Sequence, residues 1–310
     1  MVNTGSSGTR IGIARSILHY EFDGAIARFL EALGIDVVLS PPTNQEIFQA
    51  GKRVVIDELC FPIKIFVGHV AYLAERDVDR ILVPVVVGHE NNHVFPCHPR
   101  SRLADIVRAL DVCDSKRLLA PAFRFDRDGL SAEGFRAIAT ELGASERACN
   151  EAREEVRRHI GDHPSSSEGA QDGPTLGLVG HPYVVDDPWA NNHVIRRLER
   201  LGCRVVTNPE TVQIGYAPEG TGLHFALAAR TVTLARAFDR DPMIDGIVFL
   251  LPFNCGPDGD IARHLTETAA KPMLTLVLDE LQSSAGMITR LEAFIDLLQR
   301  APVAAGGRNA

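Results

Sequence analysis

The sequence predicts an α/β protein made of two doubly wound lobes, each with a parallel sheet, that repeat one pattern. Short, continuous apolar runs alternate with amphipathic helical segments, which is typical of parallel strands covered by helices on both faces. The same order of segments occurs twice at a nearly constant offset, which indicates an internal repeat. Each half is therefore expected to be Rossmann-like, with ligand chemistry at the carboxyl ends of its strands.

The first lobe is predicted over residues 10–160. A strand at residues 11–14 precedes a helix at about 22–33, which Gly34 ends. Strands at residues 36–39 and 79–84 follow.

The second lobe is predicted over residues 175–300 and repeats these segments. Its strand at residues 176–179 precedes a helix at about 191–201, which Gly202 ends, and strands at 204–207 and 245–250. Residues 161–174, which are rich in serine and glycine, are predicted to form a linker between the lobes.

Bulk composition excludes several classes of protein. Hydrophobic residues make up 45% and charged residues 23% of the 310 residues, which is typical of a globular protein. The net charge of -8 argues against a general nucleic-acid surface. No apolar run reaches the ~18 residues of a membrane helix, and no signal peptide is recognised, so we expect a cytoplasmic protein without membrane contact.

Three cysteines lie beside prolines at separate corners of the chain: Cys60, Cys97 and Cys255. No C-x-x-C pair occurs, which excludes a zinc ribbon and a bacterial ferredoxin motif. Cys97 and Cys255 both follow the third strand of their lobe. Three thiolates from distant loops are a pattern that suits an inorganic cluster, whereas any single cysteine could be a small buried hydrophobe. The latter is the interpretation we favour for the other three cysteines, Cys113, Cys149 and Cys203.

Histidines near these segments add further candidates. His89, His93 and His98 surround Cys97, and they could hold zinc, donate hydrogen bonds to a cluster or be solvated. His181 follows the first strand of the second lobe, where an acid/base or substrate-binding role and a simple helix-start turn are equally open. A dinucleotide loop and a phosphate-binding GxxxxGK[ST] loop are both absent, so no ATP or NAD site of its own is predicted.

Several short motifs together resemble a known family. They are residues 39–44, 57–64, 180–183, 254–258 and 289–294. With them, the chain resembles the uncharacterised domain found with activators of 2-hydroxyacyl-CoA dehydratases. It is similar more distantly to the dehydratase and benzoyl-CoA reductase subunits and to the double-cubane cluster proteins.

The resemblance implies a 4Fe–4S cluster, or a larger iron–sulfur cluster, held by Cys60, Cys97 and Cys255 with one iron position open. It implies low-potential electrons from an ATP-dependent activator protein, whose nucleotide domain this chain lacks, and pairing as a homodimer or with a related subunit. Glu58 and His181 are candidates for proton delivery because both flank the expected site. The chain departs from the family at His98-Pro99-Arg100 and at Leu281, beside the site, where the family often has Pro-Lys-Phe and a histidine.

Three functions remain open at this point. The first is a dehydratase or reductase component that acts on a small or CoA-linked substrate at the open iron. The second is a non-catalytic electron-transfer or regulatory companion of an activase. The third is a metal-free or zinc-containing, two-lobed small-molecule binding protein.

Overall fold

The computed structural model describes residues 8–89, 95–126, 129–158, 173–207, 223–281 and 284–300. Its first lobe contains strands β1 (Arg10–Ile13), β2 (Asp36–Leu39), β3 (Arg80–Leu82), β4 (Val85–His89), β5 (Leu118–Leu119), β6 (Ala122–Asp126) and β7 (Gly129–Leu130). Its helices are α1 (Leu18–Glu21), α2 (Ala25–Ala32), α3 (Gln45–Lys52), α4 (Phe61–Ala74), α5 (His98–Ser101), α6 (Leu103–Ala109), α7 (Ala132–Glu141) and α8 (Glu146–Arg158).

The second lobe contains strands β8 (Thr175–Val179), β9 (Arg204–Val206), β10 (Gly246–Pro252) and β11 (Met273–Leu278). Its helices are α9 (Pro182–Val185), α10 (Val194–Arg200), α11 (Ala226–Arg240), α12 (Gly256–Thr268) and α13 (Ser284–Arg300). Among the described residues, every helix is too short or too polar to cross a membrane.

Both lobes are built on the same four-stranded parallel sheet. The strand order is β2-β1-β3-β5 in the first lobe and β9-β8-β10-β11 in the second. The first strand of each lobe lies between the second and third, as in a doubly wound sheet. The α/β class, the Rossmann-like lobes and the internal repeat are therefore confirmed.

A second, smaller sheet in the first lobe was not predicted. It has the order β4-β6-β7. After β3 the chain passes Pro84 and continues as β4, and after β5 it passes Pro121 and continues as β6. Val85 N–H donates to the Pro121 carbonyl at 2.9 Å, so the two continuations stay paired. Because proline has no N–H to give to the ladder, the paired strands break at the same level. The predicted third strand at residues 79–84 therefore contains only β3 and this break.

The two lobes share part of their apolar core. Phe48 and Phe61 of the first lobe are fully buried among residues of the second lobe. Trp189 packs against both, with ring centroids 5.3 Å and 6.1 Å apart. The predicted linker at residues 161–174 lies almost entirely outside the described residues, and the lobe boundaries remain predictions.

Candidate metal centre

The three proline-flanked cysteines occupy the same local position in the fold. Cys60, Cys97 and Cys255 are the N-cap residues of α4, α5 and α12, and each has proline two residues later. Proline suits the first helical turn, because its missing N–H would have no partner in the helix there. All three caps have extended backbone, and all three cysteines are half-buried.

The structure brings these three thiols together from both lobes. The pKa of Cys60 is raised to about 12, mainly by burial and with a smaller contribution from the Cys97 thiol. Burial also raises the pKa of Cys255, with contributions from Asp258, Cys60 and Cys97. The three thiols thus lie near enough to affect one another's pKa. Without a bound cation the three thiols therefore stay protonated, and a bound metal would be needed to make them thiolates.

Backbone N–H groups of the three helices counteract this repulsion. The N–H of Ile63 lowers the pKa of Cys60, and the N–H of Arg100 does the same for Cys97, although burial outweighs both. The N–H of Asp258 acts in the same way on Cys255. Each N–H belongs to the third residue after its cysteine. Each cap thus sets a helix N-terminus beside a sulfur, although no hydrogen bond joins the cap side chain to its helix, and the positive end of the helix favours the thiolate form.

Direct hydrogen bonds fix the Cys60 loop against the Cys255 loop. Phe61 N–H donates to the Phe253 carbonyl at 3.1 Å, and Asn254 Nδ2 donates to the Asp57 carbonyl at 3.0 Å. Asn254 has a φ of 61°, in the left-handed region that asparagine tolerates better than most residues. These bonds join the two lobes immediately beside their cysteines.

A buried lysine strengthens the same junction. Lys64, the fourth residue of α4, is 1% exposed. Its Nζ contacts a carboxylate oxygen of Glu280 in the second lobe. The same Nζ donates to the Asp57 carbonyl at 3.2 Å. Lys52 reaches the other Glu280 oxygen at 2.5 Å. Glu280, two residues after β11, is therefore part of the contact between the lobes.

His181 forms a buried pair with a residue that the sequence analysis missed. Its Nε2 lies 2.7 Å from Oδ2 of Asp258, and the two residues are 4% and 0% exposed. Donor atoms of His181, Asp258 and Cys255 lie within 4.8 Å of one another. The sequence signal for Asp258 was its spacing. It lies three residues after Cys255, on the first turn of α12, so its side chain lies on the same side of the helix as the Cys255 cap.

Tyr183 also faces the cysteines. Burial raises its pKa well above the ordinary value, and the charges of Cys97, Cys255, Asp258 and Cys60 add to the effect. Its ring lies 5.1 Å from that of His181, measured between centroids. The start of α9 therefore sets an aromatic ring and an imidazole side by side near the thiols.

A buried ion pair flanks Cys97. Arg100 is 2% exposed and donates from Nη2 to both carboxylate oxygens of Glu21 at 2.5 Å. Burial raises the pKa of Cys97, and the Arg100 guanidinium acts in the opposite direction. In the sequence, Arg100 was noted only as a departure from the resembling family. In the structure it is a buried cation beside the thiols.

The remaining predicted residues are exposed, are buried in the apolar cores or lie outside the described residues. Glu58 is exposed on the turn that precedes Cys60, and His98 is exposed on α5. His93 and the side chain of His89 lie outside the described residues. The other three cysteines, Cys113, Cys149 and Cys203, are buried in the apolar cores.

The donor set fits an iron–sulfur cluster. Cysteine thiolates are the usual ligands of such clusters, and helix N–H groups together with Arg100 supply positive potential for an anionic cluster. The second donor set, with one sulfur, one imidazole and one carboxylate, is of the kind that binds zinc.

Comparison with known proteins gives one family. Residues 10–210, about two thirds of the chain, match the family described as "CoA enzyme activase uncharacterised domain" (DUF2229). The matched region contains Cys60, Cys97 and His181 and ends before Cys255. No curated protein matches the chain.

Proposed function

Because the chain belongs to the CoA enzyme activase uncharacterised domain family, we propose that it is an iron–sulfur protein that works with an ATP-driven activator. In this proposal it accepts low-potential electrons and acts on a small or CoA-linked substrate, as a dehydratase or reductase component. The observation that carries the proposal is the convergence of three Cys-X-Pro helix caps, two from the first lobe and one from the second.

The chain's own residues have distinct roles in this proposal. Cys60, Cys97 and Cys255 hold the cluster, which would supply one-electron chemistry and an open iron when bound. The helix N–H groups and Arg100 stabilise its negative charge and so affect its potential.

Residues around the cysteines would act on the side of the cluster where the substrate binds. Tyr183, whose ring lies 5.1 Å from that of His181, would limit the access of water to this side of the site. His181, oriented by Asp258, is the residue placed to deliver a proton at Nε2 or Nδ1. Glu58 is exposed, so it would act only from the solvent side.

Anaerobic purification of cysteine variants tests the cluster. The wild-type protein is expected to be brown and to contain about four irons and as many sulfides per chain. Cys255→Ala should lose the iron and its absorption spectrum, because one of three thiolate ligands is removed. Cys203→Ala is the matched control, since Cys203 is fully buried in the second-lobe core and should leave iron unchanged. Equal iron in the two variants, or a colourless wild-type protein, would overturn the proposal.

The second function, a non-catalytic electron-transfer companion, is favoured by an exposed aromatic rim. Phe95, Phe225 and Phe253 are 45%, 42% and 45% exposed, although phenylalanine is usually buried. Phe95 and Phe253 lie two residues before Cys97 and Cys255, and Phe95 forms a parallel bridge with Phe225. An electron-donating partner that docks on this rim would lie beside the thiols. A loaded protein whose spectrum changes with an activator and ATP, but not with acyl-CoA compounds, would favour this second function.

A further inference from the structure

We propose that His181, Cys255 and Asp258 form a mononuclear site for a zinc-class divalent cation, separate from the three-cysteine set but sharing Cys255 with it. Among the described residues, this is the group in which three metal-binding side chains of different types bring their donor atoms within 4.8 Å. The site itself does not depend on the proposed function, but its competition with a cluster does.

All three ligands come from the second lobe. His181 follows β8, while Cys255 and Asp258 are the cap and third residue of α12. In a helix, positions three apart lie on one face, so the thiol and the carboxylate face the imidazole together. The mononuclear site is therefore complete in one lobe, whereas the three-cysteine set needs both lobes.

Unsatisfied buried atoms point to a ligand at this position. Asp258 is fully buried, and neither of its carboxylate oxygens has a hydrogen-bond partner, nor has the buried Nδ1 of His181. Buried polar groups in native proteins are nearly always paired, and exceptions often mark an ion or water. A carboxylate in such surroundings is costly unless a cation compensates it.

The chemistry of the donors selects the cation. Zinc binds cysteine sulfur, histidine nitrogen and aspartate oxygen, and a site with three protein ligands leaves its fourth position for water or substrate. His181 Nε2 and Asp258 Oδ2 lie 2.7 Å apart, so one cation can contact both side chains. On binding, the metal ion takes the place of the Cys255 thiol proton, which is released to solvent. No electron is transferred.

Cobalt titration of the iron-free, full-length chain under reducing conditions tests the site. One Co²⁺ per chain should give thiolate-to-metal charge-transfer absorption and the intense visible bands of four-coordinate cobalt, and Zn²⁺ should displace it. His181→Ala and Asp258→Asn should each weaken the affinity for Co²⁺ at least about tenfold, since even an indirect partner of a ligand is worth about 10- to 100-fold. Cys60→Ala and Cys97→Ala are the matched controls and should bind Co²⁺ like the wild-type protein.

Two results would overturn this inference. One is the absence of stoichiometric Co²⁺ binding by wild-type protein whose circular dichroism shows it to be folded. The other is binding that depends on Cys60 or Cys97 and is unchanged in folded Asp258→Asn.

Competition separates this inference from the proposed function. Zinc-loaded protein should incorporate less iron during reconstitution with iron and sulfide, because Cys255 belongs to both sets. If cobalt binds as expected but zinc does not hinder the cluster, Cys255 is not a cluster ligand, and the proposed cluster site fails while the mononuclear site holds. If a cluster forms but cobalt does not bind, the mononuclear site alone fails.

Discussion

A single buried histidine, His69, connects the two lobes through hydroxyl groups. Its Nδ1 lies 2.8 Å from Ser40 Oγ, its Nε2 lies 2.9 Å from Thr43 Oγ1, and that hydroxyl donates to Asp187 Oδ2 in the second lobe at 2.5 Å. Because the one proton of Thr43 goes to Asp187, His69 must donate from Nε2. In the neutral imidazole Nδ1 then accepts from Ser40, whose oxygen already accepts from the Arg15 N–H. Burial and the nearby Arg15 lower the pKa of His69 to about 3, which keeps it neutral.

This network predicts an acid-sensitive stability. The pKa of His69 is about 6.5 in the unfolded chain and about 3 in the folded protein. Between these two pH values the imidazole binds a proton in the unfolded chain but not in the folded protein. The contribution of His69 is complete above pH 6.5 and is lost as the pH falls towards 3. It should reduce the free energy of unfolding by about 1.4 kcal/mol per pH unit in that range.

Urea unfolding of iron-free protein between pH 7 and pH 4 measures this slope. Burial raises the pKa of the Glu21 and Asp187 carboxyls, which act in the opposite direction, so the comparison of interest is wild type against His69→Gln. The variant has no imidazole to protonate and should show a smaller loss of stability with acid. Identical pH dependence in the two proteins would contradict this account of the network.

Among the elements, α4 does most to position the centre. Eleven of its 14 residues are buried, and it carries Cys60 at its cap, Lys64 against the second lobe and His69 in the network. It crosses α3 at two glycines. A Cβ on Gly68 would lie 2.0 Å from the Ile47 carbonyl oxygen, and one on Gly51 would lie 1.9 Å from that of Lys64. The two helices are thus in backbone contact, which leaves no room for a methyl group.

Gly68→Ala should therefore separate α3 from α4 and displace Cys60. We expect a loss of about 1–3 kcal/mol in the free energy of unfolding, as for other overpacked cores, and reduced iron content after reconstitution. Gly259→Ala in α12 is the matched control: its Cβ would meet no atom within 4 Å, so helix propensity should add up to about 1 kcal/mol. Urea unfolding and iron analysis of both variants check this. If both respond alike, close helix contact does not position Cys60.

Periodicity predicted the first three strands and one helix of each lobe from the sequence, but not the small sheet β4-β6-β7. Pro84 and Pro121 stand between the main strands and this sheet, and a proline in a sequence usually indicates the end of a strand. Here the strand pairing continues after both prolines. The three caps were found from their prolines. Arg100 and Asp258 were not assigned to the site, because their partners Glu21 and His181 come from distant segments, and burial cannot be read from one chain segment alone.

For the whole molecule, the sequence showed the repeat but not how the two lobes face each other. That orientation is set by shared burial of Phe48, Phe61 and Trp189 and by the hydrogen bonds beside the cysteines. The result places one thiol of the second lobe with two of the first. A cluster on these thiols would join the lobes and add its binding energy to their association.

Anomalous diffraction at the iron absorption edge, from crystals of anaerobically reconstituted protein, would show which residues hold the iron. We expect iron density bonded to the sulfur atoms of Cys60, Cys97 and Cys255, with no fourth cysteine attached. This expectation would be contradicted if the three thiols were free of iron, or if the only iron lay on other residues of the chain.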